Sequence, residues 1–189
     1  MSMRSATADD LAAIMAIERA CFPTDAWSEA MMAAELASPH TAYTVVEEGG
    51  RVIGYGGVRA VAGAGDADIQ TIALDAAVRG RGRGRDLLAN LLGHALVAGA
   101  GTVFLEVRAD NPVAQSLYRS EGFIETGRRP RYYQPDDVDA VIMRLDLTGW
   151  ASAIQAEPRE RDAHAAVGDD LPELRARGSA RPPAGRGWC

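Results

Sequence analysis

The 189 residues allow one domain of ordinary size plus an appendage, and 47% apolar residues suffice for a core without disulfides or metal. All 20 basic residues are Arg, which excludes phosphate-loop and kinase sites that work through Lys. A net charge of −6 argues against nonspecific nucleic-acid binding as the main task. Cys21 and Cys189 are too distant to frame a small secreted fold. No stretch approaches ~18 consecutive apolar residues, and no basic start leads into an apolar run. The expectation is a reduced, cytoplasmic protein without a membrane segment.

In chain order, Met3–Ser5 reads as a short opening strand. Thr7 caps a helix running to about Ala20, with Asp10 at the capping-box position and Leu11, Ile14 and Met15 turned inward. Ser28 caps a second, short helix to about Ala37. Thr41–Glu48 and Arg51–Arg59 read as a hairpin across Gly49-Gly50, and Asp68–Leu74 as a further strand. After a glycine and arginine run comes the clearest helix, Arg85–Ala98, with one apolar stripe through Leu87, Leu88, Leu91, Leu92, Ala95 and Leu96. Thr102–Val107 is a buried type of strand. Asn111 caps a helix with Pro112 at its first position, and Gly122 ends it. Phe123–Arg129 and Ala140–Leu147 suit a closing hairpin. The order is β, α, α, β, β, β, α, β, α, β, β.

From Trp150 onward the only Leu, Ile, Val or Phe residues are Ile154, Val167, Leu171 and Leu174. So few aliphatics do not offset the entropy of ordering, so residues 1–148 are read as the domain and 149–189 as a disordered tail. A short helix around Asp169–Arg177 is the one element expected within it.

The segment Arg79-Gly80-Arg81-Gly82-Arg83-Gly84 lies between a strand and a helix start. Glycines there let successive N–H groups converge, and the helix behind adds its free N–H groups and positive dipole end, an arrangement suited to a pyrophosphate. A dinucleotide fingerprint fails because Arg85 stands where the last glycine belongs. An Arg-Gly tract for RNA fits disordered sequence better than this wedged position, and a plain solvated loop is the third alternative. Context favours the phosphate cradle.

The same six residues fit the acyl-CoA loop of the GNAT N-acetyltransferases, written Gln or Arg, any, any, Gly, any, Gly or Ala. The chain resembles that family over about residues 3–147, leaving the tail unmatched. Four segments carry the likeness: Phe22-Pro23 with Trp27-Ser28-Glu29; Ile72-Ala73-Leu74-Asp75; Leu105 to Asn111 with Leu117-Tyr118 and Glu121-Gly122-Phe123; and Arg129 to Tyr133 with Asp139-Ala140 and Ile142-Met143. The likeness is strongest to the branch that acetylates the N-terminal alanine of a ribosomal protein. One departure is Thr24-Asp25-Ala26, set between Pro23 and Trp27 where the acceptor slot would be.

The resemblance implies an α/β (α+β) GNAT fold, with a mixed sheet of about seven strands flanked by about four helices. It implies acetyl-CoA as co-substrate, no metal, and no direct contact with nucleic acid or membrane. Glu106 would be the general base and Tyr118 the general acid. Ile72, Ala73 and Leu74 would offer backbone groups to the pantetheine arm, Arg79, Gly80, Arg81, Gly82, Arg83, Gly84 and Arg85 would hold the phosphates, and Asn111 would touch the arm. Phe22, Trp27, Tyr132 and Tyr133 would wall the acceptor slot. The residues themselves leave alternatives open. Glu106 interrupts an apolar strand, where an unpaired carboxylate is costly, so an ion pair with Arg108 is the structural reading. Tyr118 suits packing, Asn111 suits a helix cap, and His40, His94 and His164 have no ligand-like spacing.

An α-amine is easier to deprotonate than a Lys side chain by roughly 3 kcal/mol at neutral pH, which favours a protein N-terminus as acceptor for a site with one carboxylate base. Asp136, Asp137 and Asp139 would guide a basic substrate such as a ribosomal protein. Two other readings remain: a GNAT enzyme acting on a small amine or a lysine, and a non-catalytic acyl-CoA-binding module.

Overall fold

The computed structural model describes residues 1–156; the tail beyond, with its expected helix at 169–177, lies outside the described residues. Seven strands form one sheet in the order β1-β2-β3-β4-β5-β7-β6. These are β1 (Ser2–Ser5), β2 (Thr41–Glu48), β3 (Arg51–Ala60), β4 (Asp66–Leu74), β5 (Thr102–Arg108), β6 (Ile124–Tyr133) and β7 (Val138–Asp146). The helices are α1 (Leu11–Cys21), α2 (Glu29–Leu36), α3 (Arg83–Val97), α4 (Pro112–Ser120) and α5 (Leu147–Ala156). This is the expected mixed sheet and element order, with one helix more.

The added helix runs past the domain end expected at residue 148. Asp146 starts it: its Oδ1 accepts the N–H groups of Thr148 at 3.1 Å and Gly149 at 3.2 Å. Leu147 is fully buried and Trp150 packs on the main core, so α5 is held by tertiary contact that aliphatic content does not reveal. Among the described residues no helix is long and apolar enough to cross a membrane.

Two cores sit on opposite faces of the sheet. Leu87, Leu88, Leu91, Leu92 and Ala95 of α3 are fully buried in one core with Val46 of β2, Ile53 and Val58 of β3 and Ile69, Ile72 and Leu74 of β4, and that core continues through Val103, Leu105 and Val107 of β5 to Met143 and Leu145 of β7. Ile14 and Met15 of α1 and Met32 of α2 pack with Tyr43, Val45, Tyr55, Phe22 and Trp27 on the other face. That second core encloses a carboxylate. Glu18 is 1% exposed; its Oε1 accepts the Trp27 N–H at 2.7 Å and its Oε2 accepts the Tyr55 hydroxyl. Burial, and then the Glu18 charge, push the Tyr55 phenol well above its ordinary range.

Every neighbouring pair in the sheet is antiparallel except β4–β5. That parallel pairing spans only Asp66–Ile69 against Thr102–Leu105. Beyond it β4 stays paired with β3 through Leu74, and β5 stays paired with β7 through Arg108. The strands part. Main-chain groups on the facing edges of 70–74 and 106–108 are therefore left out of the β4–β5 ladder, and a sheet interior tolerates this only where something else takes them up.

Gly57 on β3 has no room for a side chain, because an added Cβ would lie 2.4 Å from Cζ and 2.5 Å from Cε1 of buried Tyr43. The Tyr43 hydroxyl donates to Gln70 Oε1 at 3.2 Å, so the ring has little freedom to retreat. Gly57→Ala is expected to destabilise the fold by about 1–3 kcal/mol, read from urea unfolding. A second expectation concerns Asp10, which caps the first helical turn. Its Oδ2 accepts the Thr7 N–H at 2.8 Å, and its carboxylate forms a two-point pair with Arg4 at 2.7 Å. The Arg4 hydrogen bonds hold this carboxyl down at about 2, from an ordinary 3.8. A lowered folded-state value means stability present above pH 4 and lost as pH falls toward 2. Asp10→Asn should cost about 1 kcal/mol at pH 7, allowing for the solvent screening of Arg4, and the gap to the parent chain should close between pH 4 and pH 2.

Candidate active site

The site forms where β4 and β5 part. The loop after β4 turns through Gly80 (φ +74°) and Gly82 (φ +76°), left-handed conformations in which a Cβ is strained. Gly82 is the N-cap of α3, and its carbonyl accepts from Arg85 N at 2.9 Å and Asp86 N at 3.2 Å. The first N–H groups of α3, on Arg83 and Gly84, have no carbonyl within the helix to bind and lie at its positive end.

These residues line a cavity of about 430 Å³ with Arg79, Gly80, Gly82, Arg83, Gly84, Arg85 and Asn111, joined by Val113 and Leu117 of α4. Three of the loop arginines are tied to the protein. Arg79 Nε donates to the Leu74 carbonyl at 3.1 Å, Arg83 pairs with Glu48 at 2.7 Å, and Arg85 Nη2 donates to Ser120 at 2.9 Å while its Nε pairs with Glu121. Arg81 is exposed and is not among the lining residues. Ile72, Ala73 and Leu74 have fully buried side chains and offer only main chain to the gap.

Asn111 lines this cavity and a second one of about 340 Å³. Its side chain also caps α4, accepting the Ala114 N–H at 3.0 Å, so the cap and the wall are one residue. The second cavity is lined further by Phe22, Pro23, Thr24, Asp25, Arg108, Asp110 and Asp136. Two of the three residues that depart from the family pattern, Thr24 and Asp25, therefore stand on it, while Ala26 packs on the second core: Thr24 Oγ1 donates to Asp136 Oδ2 at 3.0 Å, and Arg108 Nη1 reaches the same oxygen at 3.0 Å. Of the three acids expected to guide a substrate, Asp136 lines this cavity; Asp139 accepts the Arg131 N–H and Asp137 the Gln134 amide.

Glu106 lies on β5 one residue past the last β4–β5 pair, 5% exposed. The structural reading named Arg108 as its partner, and the structure corrects that. Arg108 is engaged with Asp110 and Asp136, whereas Glu106 Oε1 pairs with Arg129 Nε of β6 at 3.0 Å. The reason is topological: β6 joins the sheet beyond β7, a long-range contact that strand spacing cannot supply. Tyr118 is 1% exposed on α4 and packs against Phe123, with ring centroids 5.7 Å apart. Tyr133 is buried and meets half-buried Tyr132 edge-on at 5.2 Å. Burial pushes the Tyr133 phenol up, and the charges of Glu106, Tyr132, Tyr118 and Asp25 push it further, in that order. One electrostatic neighbourhood thus joins the carboxylate, three tyrosines and the α1–α2 loop.

Of the expected slot residues Phe22 lines the second cavity, whereas Trp27, Tyr132 and Tyr133 line neither. Trp27 is 3% exposed in the second core and is pinned through its main-chain N–H to Glu18. Arg129 was missed as a site residue, and so was the ledge of Val113 and Leu117. Val113 and Leu117 are spaced one turn apart, a signal visible in sequence, whereas nothing local marks Arg129.

A model of the acetyltransferase (GNAT) family matches residues 11–123. The N-alpha-acetyltransferase RimI of Mycobacterium tuberculosis is 44% identical over 124 residues, 65% of this chain and 77% of that protein. The chain belongs to the GNAT family. This GNAT enzyme shares its fold with the ribosomal-protein-S18-alanine N-acetyltransferase of Escherichia coli, at a TM-score of 0.71 and 31% identity over 77% of this chain and 93% of that one. Arabidopsis thaliana NAA60 in complex with acetyl-CoA has the same fold, at a TM-score of 0.69 and 17% identity over 78% of this chain and 99% of that one. The protein is an acetyl-CoA-dependent N-acetyltransferase. Its chain fits that co-substrate: a glycine-turned helix N-terminus for the diphosphate opens into a gap edged by unladdered main chain.

Proposed function

We propose that the enzyme acetylates the N-terminal α-amine of a protein. The acceptor alanine is that of the small-subunit ribosomal protein named for its relatives, reached in the cytoplasm. The observation that carries the reading is Glu106, a buried carboxylate at the point where the sheet opens. The 44% identity with a RimI enzyme supports the choice of acceptor.

The N–H groups of Gly80 to Arg85 hold the diphosphate, and the free edge of Ile72 to Leu74 pairs with the pantetheine amides. The bound thioester supplies the acetyl group. Glu106 takes a proton from the acceptor ammonium, directly or through one water, which frees the nitrogen lone pair for attack on the acetyl carbonyl. As the C–N bond forms and the C–S bond breaks, the Tyr118 hydroxyl gives its proton to the departing sulfur. The second proton shed by nitrogen returns to the phenolate through solvent. Phe22, Tyr132 and Tyr133 wall the acceptor side, and Asn111 stands where the two cavities meet.

Acetyl-CoA consumption with short peptides varied at the first residue tests the acceptor, and equal turnover of free lysine or a polyamine would remove it. Glu106→Gln and Tyr118→Phe should each lower kcat by about 10²–10⁴-fold and leave CoA affinity within about twofold, by stopped assay and calorimetry. Gly82→Val should act on the other quantity. Its strained cap disturbs the converging N–H groups, and the Kd for CoA is expected to rise about tenfold or more.

A further inference from the structure

Resting on the reading of Glu106 as base, we propose that Arg129 is a resident counter-ion which the acceptor must displace, so that the enzyme selects amines that arrive as cations. The pair is asymmetric. The Glu106 side chain is 6% exposed and Arg129 is 48% exposed, across an Nε–Oε1 distance of 3.0 Å. The carboxylate is held by β5, whereas the half-exposed guanidinium has a second support, the face of Tyr132 at 5.4 Å. A guanidinium keeps its proton in proteins, so it neutralises the base without feeding it a proton.

Other groups bear on the same place. Tyr133, Tyr118 and Tyr132 approach from β6 and α4, and Asp25 from the α1–α2 loop. Arg108 lies over the Tyr133 ring at 5.3 Å but is committed to Asp110 and Asp136. A cation entering beside Glu106 therefore meets a carboxylate already paired with Arg129 unless Arg129 leaves. Exchange of guanidinium for ammonium conserves charge, and the buried carboxylate never stands without a partner. A neutral amine or an alcohol has no charge with which to replace the guanidinium. The exchange leaves Glu106 beside a cation throughout, so only the free enzyme depends on Arg129 for that neighbour.

Arg129→Gln separates this role from a structural one, because kcat/KM reports the free enzyme and kcat the loaded complex. The acid limb of kcat/KM is expected to move up by about one pH unit, a lowered figure because the pair is half exposed, while the acid limb of kcat stays in place. Arg129→Lys should keep the parent limb. With CoA in place of acetyl-CoA, the amine peptide should bind Arg129→Gln about threefold more tightly or better, while a peptide with hydroxyl for its N-terminal amine changes little. Both limbs moving together, neither moving, or weaker binding of the amine peptide would overturn the counter-ion. Full turnover by Glu106→Gln would instead remove the base on which it rests. An inactive Glu106→Gln beside an unaltered Arg129→Gln removes only the present inference.

Discussion

The parallel contact between β4 and β5 ends after four residue pairs, and the rest of the site follows from that. Each strand keeps its other neighbour, so the sheet stays whole while one seam opens. The seam leaves main-chain donors and acceptors outside the β4–β5 ladder, to be met by water, side chains or a ligand. On one side the loop after β4 delivers the start of α3, and on the other Glu106 emerges at the first residue past the last pair. The glycine loop and the buried carboxylate are two edges of a single discontinuity.

Arginine serves this site more as framing than as grip. Arg79, Arg83 and Arg85 reach Leu74, Glu48 and Ser120 with Glu121, so they brace the loop against β4, the β2–β3 hairpin and the end of α4. On the proposed reading, phosphate binding falls to N–H groups whose direction is set by two left-handed glycines and a helix end. Such donors are fixed before the ligand arrives, and little ordering entropy remains to oppose binding.

The flank of the second cavity is tied together by polar contacts, buried at Glu18 and exposed at Thr24 and Asp136. Glu18 ties the turn before α2 to Tyr55 at the centre of the sheet, and the same turn carries Thr24 and Asp25 to the second cavity. Thr24, Asp136 and Arg108 then link that turn to the β6–β7 hairpin. A buried carboxylate with both oxygens satisfied is a rigid anchor, since shifting either partner strands a charge. Of the residues that depart from the family pattern, Thr24 and Asp25 are thereby part of the wall and not a loose insertion.

Much of this was legible in order along the chain. The stripe from Leu87 to Leu96, the caps at Ser28 and Asn111, the hairpin at Gly49-Gly50 and the glycines before α3 are local signals of period or backbone conformation, and strand and helix ends fell within a few residues. Glu106 announced itself as a carboxylate in an apolar run. The partners across the sheet were not legible. Arg129 meets Glu106 through β6, Trp150 anchors a helix whose composition reads as tail, and Trp27 packs in the second core with its N–H on Glu18. The sequence by itself determined the elements, the glycine loop ahead of α3 and the carboxylate within β5, because those depend on neighbours a few residues away. Only the tertiary structure decided where the seam opens and which cation faces the base, because strand order brings together residues that no local spacing relates.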